Sequence, residues 1–217
     1  MPNIQDYFIF TSNVDGHFAQ VFPQEKIAEC HGCILYLQCT NSSTCEDIYS
    51  VKKHNEFYAE THPETCYPLP VDMESFRVPE KSLPKCIHCG SLARPNIMMF
   101  GDYGFVGDRS NEQEDRLRES FIKWREGIDK TKNVENQIHL VTIEIGAGVD
   151  VNTVRCESEE KTRKYANIDH VKTTLIRINP TDHQIQQFSI GKGVGIEIPL
   201  GGLDALTQIK QRIAELK

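Results

Sequence analysis

Residues 8–39, FIFTSNVDGHFAQVFPQEKIAECHGCILYLQC, decide the reading of this chain. The apolar run Tyr7-Phe8-Ile9-Phe10 looks like the buried end of a strand, and it stops at Thr11-Ser12-Asn13, small polar residues suited to the loop beyond it. Asp15, Gly16 and His17 follow, and a second apolar run, Ile34 to Leu37, is entered through His31-Gly32. In open α/β sheets, ligands sit beyond the carboxyl ends of the strands, where such loops lie. The spacing therefore predicts a pocket with an amide, a carboxylate and an imidazole at its rim.

Working outward, the pattern predicts a short helix around Phe18–Val21, a turn at Pro23, another short helix, and a strand ending at Leu37. Cys39 to Cys89 holds His54, His62, Cys45, Cys66 and five prolines with little periodicity, so a metal is the natural candidate to organise it. Ile97 to Phe100 reads as a short strand ending in Gly101-Asp102. Ser110-x-x-Gln113 resembles a capping box, predicting a helix from Ser110 with Leu117, Phe121, Trp124 and Ile128 as core contacts. Ile138–Ile145 and Thr174–Asn179 read as strands, Lys161–Ile168 as a polar helix, and Leu203, Leu206, Ile209 and Ile213 as the apolar face of a closing helix. Alternating strands and helices predict an α/β fold, a parallel sheet with helices on both faces.

The 217 residues carry 31 acidic and 24 basic side chains, a net charge of −7. That balance argues against an electrostatic grip on nucleic acid or on an anionic membrane. The first residues lack a basic region followed by a long apolar run, so no signal peptide is expected. Eight cysteines without such a signal favour metal ligation over disulfides and an intracellular setting, cytoplasmic or nuclear.

Two cysteine pairs can chelate a tetrahedral metal. Cys86-x-x-Cys89-Gly90 supplies one compact knuckle, while the other half is open: Cys30-x-x-Cys33 is the tighter pair, and Cys39 with Cys45 is wider. Spacing alone favours Cys30 and Cys33, as ligands or as a redox pair, with Cys66 a possible substitute ligand. Gly146-Ala147-Gly148 follows a strand, where backbone N–H groups can approach a phosphate or adenosine.

Thr11-Ser12-Asn13-Val14-Asp15-Gly16 with Glu29-Cys30-His31-Gly32 resembles the sirtuin family of NAD-dependent protein deacylases. Cys86-x-x-Cys89-Gly90, Arg94-Pro95-Asn96-Ile97-Met98-Met99-Phe100-Gly101-Asp102 and Ile176-Arg177-Ile178-Asn179 extend the resemblance along the chain. The resemblance implies a Rossmann-like NAD-binding domain over residues 1–38 and 90–217, with a small zinc-binding module over 39–89. It selects Cys39, Cys45, Cys86 and Cys89 as ligands of a structural Zn²⁺. It implies that His31 is the catalytic base, with His17 a weaker candidate. Ser12, Asn13, Asp15, Gly146, Ala147, Gly148 and Asn179 would contact NAD, a co-substrate. Met98, Phe100 and Gly101 would wall the acyl-lysine channel by strand addition.

Three departures accompany the resemblance. Ser12 replaces a glutamine, Ala147-Gly148 replace a threonine and a serine, and Met98 stands where a valine is common. No Gly-Ala-Gly-x-Ser and Pro-Asp-Phe-Arg segment precedes Phe8, so a shortened or decayed form is expected, with poor NAD binding by these residues alone. The expected activity is that of a transferase acting on acyl-lysine proteins or peptides. The alternatives are mono-ADP-ribosyl transfer on the same fold, or a non-catalytic zinc-stabilised interaction module.

Overall fold

A short parallel pair, β1 (Ile9–Thr11) and β2 (Ile27–Glu29), opens the chain. The computed structural model describes residues 4–41, 43–130 and 138–216, with side chains of 128–130 left aside. The chain divides into two compact units, Met1–Ser120 and Phe121–Lys217.

In the first unit, β1 and β2 align Ile9 with Ile27, Phe10 with Ala28 and Thr11 with Glu29. Two single-turn 3-10 helices, His17–Gln20 and Gln24–Lys26, make the crossover. The short helix expected after Pro23 is Gln24–Lys26; beyond it the chain turns extended and forms β2, which the pattern did not announce. Three residues are too few for either periodicity to register, and burial of Ile27 and Ala28 settles the state.

β3 (Gly32–Cys39) runs between β4 (Ile48–Ser50) and β5 (Ala93–Ile97) in an antiparallel sheet. The apolar run at Ile34–Leu37 thus belongs to this sheet and not to a parallel one. β5 lies before the expected strand Ile97–Phe100 and shares only Ile97 with it, and as an edge strand it tolerates Pro95. The segment expected to lack structure holds β4 and α1 (Val51–Tyr58), whose N-cap Ser50 accepts a hydrogen bond from Lys53 N at 3.1 Å. Leu37, Cys39, Tyr49, Cys86 and Ala93 form its buried core.

α2 (Asp108–Lys130) begins two residues before Ser110, so Ser110 lies inside the helix and is not its cap. Leu117 is buried on it, and Phe121 meets Trp124 edge to face with centroids 4.9 Å apart. The fourth expected core position, the side chain of Ile128, falls outside the described residues.

The second unit is built on three parallel strands in sequential order, β6 (Ile138–Ile145), β7 (Val171–Ile178) and β8 (Val194–Ile198). α3 (Thr153–Tyr165) links β6 to β7, starting earlier than the polar pattern suggested, and α4 (Gln187–Ile190) links β7 to β8. α5 (Gly202–Glu215) closes the chain as its apolar spacing predicts. Glu144 and Arg177 stand side by side in the β6–β7 register, buried beneath the loops that follow. Arg177 Nε reaches Glu144 Oε1 at 2.6 Å and its Nη2 reaches Glu159 at 2.7 Å, while Nη1 donates to the carbonyl of Gln184 at 2.7 Å. A buried charge needs such full pairing to be tolerated.

Candidate functional site: a cysteine cage and converging loops

Four thiols come together at the end of the antiparallel sheet. The Sγ atoms of Cys39, Cys45, Cys86 and Cys89 all lie within 4.8 Å of one another. Cys39 and Cys89 are 3.5 Å apart and Cys45 and Cys86 3.6 Å apart. Zn–S bonds of about 2.3 Å arranged tetrahedrally put sulfurs about 3.8 Å apart, so the cage has the dimensions of a closed structural zinc site. Its two halves are knuckles on neighbouring strands, Cys39 standing opposite Ala93 in the β3–β5 register. Asn41 N donates to Cys39 Sγ at 3.3 Å, and Gly90, at φ +73°, turns its N–H onto the carbonyl of Cys86 at 2.9 Å. Tyr58 adds its hydroxyl to that same carbonyl at 3.0 Å.

Burial pushes the Cys39 thiol up to about 12 and raises Cys45 as well. Hydrogen bonds from Ser91 pull Cys89 the other way, down to about 6. A dication inverts the cost of the buried thiolates and binds them in place of protons. The rival ligands sit elsewhere. Cys66 Sγ contacts the carbonyls of Asn55 and His62, Cys30 Sγ donates to Thr11 O at 3.3 Å, and burial raises Cys33 to about 11. His54 is buried among Tyr49, Tyr58 and Tyr67, and that burial lowers its pKa and keeps the ring neutral.

The second feature of this unit is the carboxyl end of β1 and β2. Because Thr11 pairs with Glu29, the loop Ser12–Asp15 and the residues Cys30–His31 leave the pair at the same end. Cys30 N donates to Thr11 O at 3.0 Å, Asn13 N to Thr11 Oγ1 at 3.1 Å, and Ile34 N to Val14 O at 2.8 Å, stitching the two loops together. Ser12 is half-buried, Asn13 exposed, and His31 half-buried. Asp15 accepts from His17 N at 3.0 Å, and the two side chains lie 3.5 Å apart, largely open to solvent. Gly32 has φ +79°, and a Cβ there would stand 2.1 Å from the carbonyl oxygen of Asn96. Immediately beside it, Met98 N donates to His31 O at 3.0 Å, bringing the Met98–Gly101 segment alongside the histidine's backbone.

Glu29, the residue two before His31, is held in a way that the sequence did not reveal. Its carboxylate is paired with Arg109, whose guanidinium lies 3.9 Å over the Tyr36 ring. Its N–H donates to Gln113 Oε1 at 3.0 Å and its carbonyl accepts from Ser110 Oγ at 3.1 Å. Ser110 and Gln113 match a capping pattern, yet both side chains serve β2; only the three-residue spacing on one helix face hinted at a shared task.

In the second unit, Gly146-Ala147-Gly148 and Asn179 meet at the carboxyl ends of β6 and β7. Asn179 Nδ2 donates to Ala147 O at 3.1 Å, while its Oδ1 accepts from Thr181 N at 3.1 Å and Asp182 N at 3.0 Å. The Asn179 amide therefore holds both loops, with Arg155 bridging the carbonyls of Ala147 and Asp182.

These features define an α/β protein with a four-cysteine zinc site at one end of its antiparallel sheet and loops gathered at the ends of parallel strands. The Sir2 family model matches residues 3–107, just under half of the chain, and over that stretch the chain is similar to the sirtuins. It is similar to a NAD-dependent protein deacylase of Thermococcus kodakarensis, 31% identical over 94 residues, which are 43% of this chain and 28% of that protein. A protein of the same name from Thermococcus sibiricus is 29% identical over 94 residues, 43% of this chain and 29% of its own length. The similarity thus spans less than a third of either relative. Among the described residues, no helix is long and apolar enough to cross a membrane.

Proposed function

We propose that this chain serves NAD-dependent protein-lysine deacylation of the sirtuin type. The observation that carries this reading is the shared carboxyl end of β1 and β2. Ser12, Asn13 and Asp15 leave one strand there and His31 the other, with Met98 N bonded to the His31 carbonyl. In this reading His31 accepts a proton from a ribose hydroxyl, a task suited to an imidazole near neutral pH. Asn13 and Asp15 bind the carboxamide, Ser12 lines the ribose side, and Met98, Phe100 and Gly101 receive the acyl-lysine strand. NAD, when bound, would supply an electrophilic sugar carbon for the acyl oxygen to attack as nicotinamide leaves; passage of the acyl group to a ribose hydroxyl, with uptake of a water, would then free the lysine amine and give O-acyl-ADP-ribose. Asn179 acts as a positioning residue for the Gly146-Ala147-Gly148 loop, which takes the adenosine side.

Residues 1–38 and 90–217 form the NAD-binding part in this proposal, and 39–89 form the zinc module. Acylated proteins in a reducing, intracellular compartment are the substrates. The test is product analysis with an acyl-lysine peptide and labelled NAD at high concentration. The expected result is acyl-lysine-dependent nicotinamide release with O-acyl-ADP-ribose, lost in His31→Ala. Label on a target side chain would select mono-ADP-ribosyl transfer instead. Identical behaviour of wild type and His31→Ala in every assay would select a non-catalytic zinc module.

A further inference from the structure

Two buried amides outside the proposed chemistry hold the loop that follows β5. Gln38 of β3 and Asn96 of β5 are both fully buried. Gln38 Nε2 donates to Gly104 O at 2.6 Å, and its Oε1 accepts from Val106 N at 3.1 Å and from Asn96 Nδ2 at 3.0 Å. Asn96 Nδ2 also donates to Val106 O at 2.8 Å. The pair thus engages three consecutive peptide groups of the returning strand of the loop. Its tip is tied separately. Arg94 Nη2 reaches Asp102 Oδ2 at 2.6 Å, Gly104 N donates to Asp102 Oδ1 at 3.0 Å, and Asp102 N donates to Met99 O at 3.1 Å. At its start, Met98 N is bonded to His31 O at 3.0 Å.

What this clamp presents is unusual for a loop. Phe100 and Tyr103 are almost wholly exposed, and Met98 and Met99 are also open to solvent. Exposed loop tips ordinarily move. Here four apolar side chains stand on a backbone fixed at its start, its turn and its return. Fixing a binding loop beforehand reduces the ordering cost of association.

We propose that Gln38 and Asn96 are positioning residues for acyl-peptide recognition, clamping residues 98–106 so that the exposed tip meets the peptide in a single conformation. The assignment rests on the deacylase reading above. A loop that samples other conformations binds more weakly in proportion to its competent fraction. In the full chain, Gln38→Leu/Asn96→Leu removes both amides together, and Gln38→Glu keeps the acceptor while losing the donor to Gly104. Amide exchange at residues 99–106, titration with an acyl-lysine peptide, and zinc content are read on each. The double variant should exchange faster across 99–106 and bind the peptide roughly tenfold more weakly, with zinc content unchanged. Gln38→Glu should fall between it and wild type, and it decides the matter if the double variant loses zinc and fold. Exchange that stays slow, or fast exchange with an unchanged peptide Kd, overturns the proposal alone. A wild-type chain that binds no acyl peptide overturns the deacylase reading and this assignment with it.

Discussion

Removing zinc should unfold the segment that the four cysteines close. The Cys39–Cys89 and Cys45–Cys86 separations of 3.5 and 3.6 Å match the edge of a Zn–S tetrahedron, so a metal enters without moving the chain. Thiolate zinc sites of this type contribute roughly 10–16 kcal/mol of apparent binding free energy. A whole domain is stable by only about 5–15 kcal/mol. The buried core here comprises Leu37, Cys39, Tyr49, Cys86 and Ala93, two of them ligands, so the metal and the packing cannot be separated. The measurement is metal analysis with amide exchange over residues 39–92, before and after a strong chelator. One zinc per chain, with protection lost on chelation, is expected. Cys86→Ser should abolish tight zinc binding, whereas Cys66→Ser and Cys33→Ser should leave stoichiometry at one. A chelated protein whose residues 39–92 stay protected, or a Cys86→Ser variant that keeps its zinc, would refute the reasoning.

Zinc affinity should rise with pH. Cys39 at about 12 and the raised Cys45 are protonated at neutral pH, so binding releases protons. Competition with a chelating dye between about pH 6 and pH 8 should show this, and a flat or falling affinity would contradict it. Glu29→Leu should destabilise the first unit by about 3–5 kcal/mol, because the largely buried Arg109 loses its partner. Denaturant unfolding measures this, and a shift below about 1 kcal/mol would mean that Arg109 finds water instead. The glycines make an internal control. Gly32→Ala forces a Cβ to 2.1 Å from Asn96 O and should prevent folding, while Gly90→Ala meets open space and carries only the left-handed backbone penalty of about 1–2 kcal/mol. Circular dichroism and thermal unfolding distinguish the two, and equal effects would be the wrong result.

The parts of the fold that were legible are those where one periodicity runs long enough. β6 is an eight-residue β-branched run, and α5 repeats its leucines and isoleucines at helical spacing. β2, three residues long, and α1, a polar helix announced only by Ser50, carry too little pattern to be heard. The choice of ligands was not legible in spacing. Cys30-x-x-Cys33 is the better local chelate, but Cys30 follows β2 with its thiol on the Thr11 carbonyl, and Cys33 is buried within β3. Strand pairing brings Cys39 near Cys89 across fifty positions. Only the resemblance anticipated that outcome. Gln38 and Asn96 were silent for a related reason. A polar residue within an apolar strand reads as an exposed position, and nothing local reveals that another buried amide stands opposite it.

Glu29 shows why such long-range bonds matter to a site made of short strands. A two-stranded parallel pair has little cooperative strength of its own. Thr11 and Glu29 are its last paired residues, and the loops carrying Asn13, Asp15 and His31 begin at that point. Fraying by one residue would move all three. α2 prevents this by bonding Glu29 at its N–H, its carbonyl and its carboxylate, through Gln113, Ser110 and Arg109. Asp108, where α2 starts, lies two residues beyond Val106, which Gln38 and Asn96 hold in place. The clamp that fixes the exposed loop thus adjoins, along the chain, the helix that bonds the strand end. Loosening it should disturb both sides of the site at once.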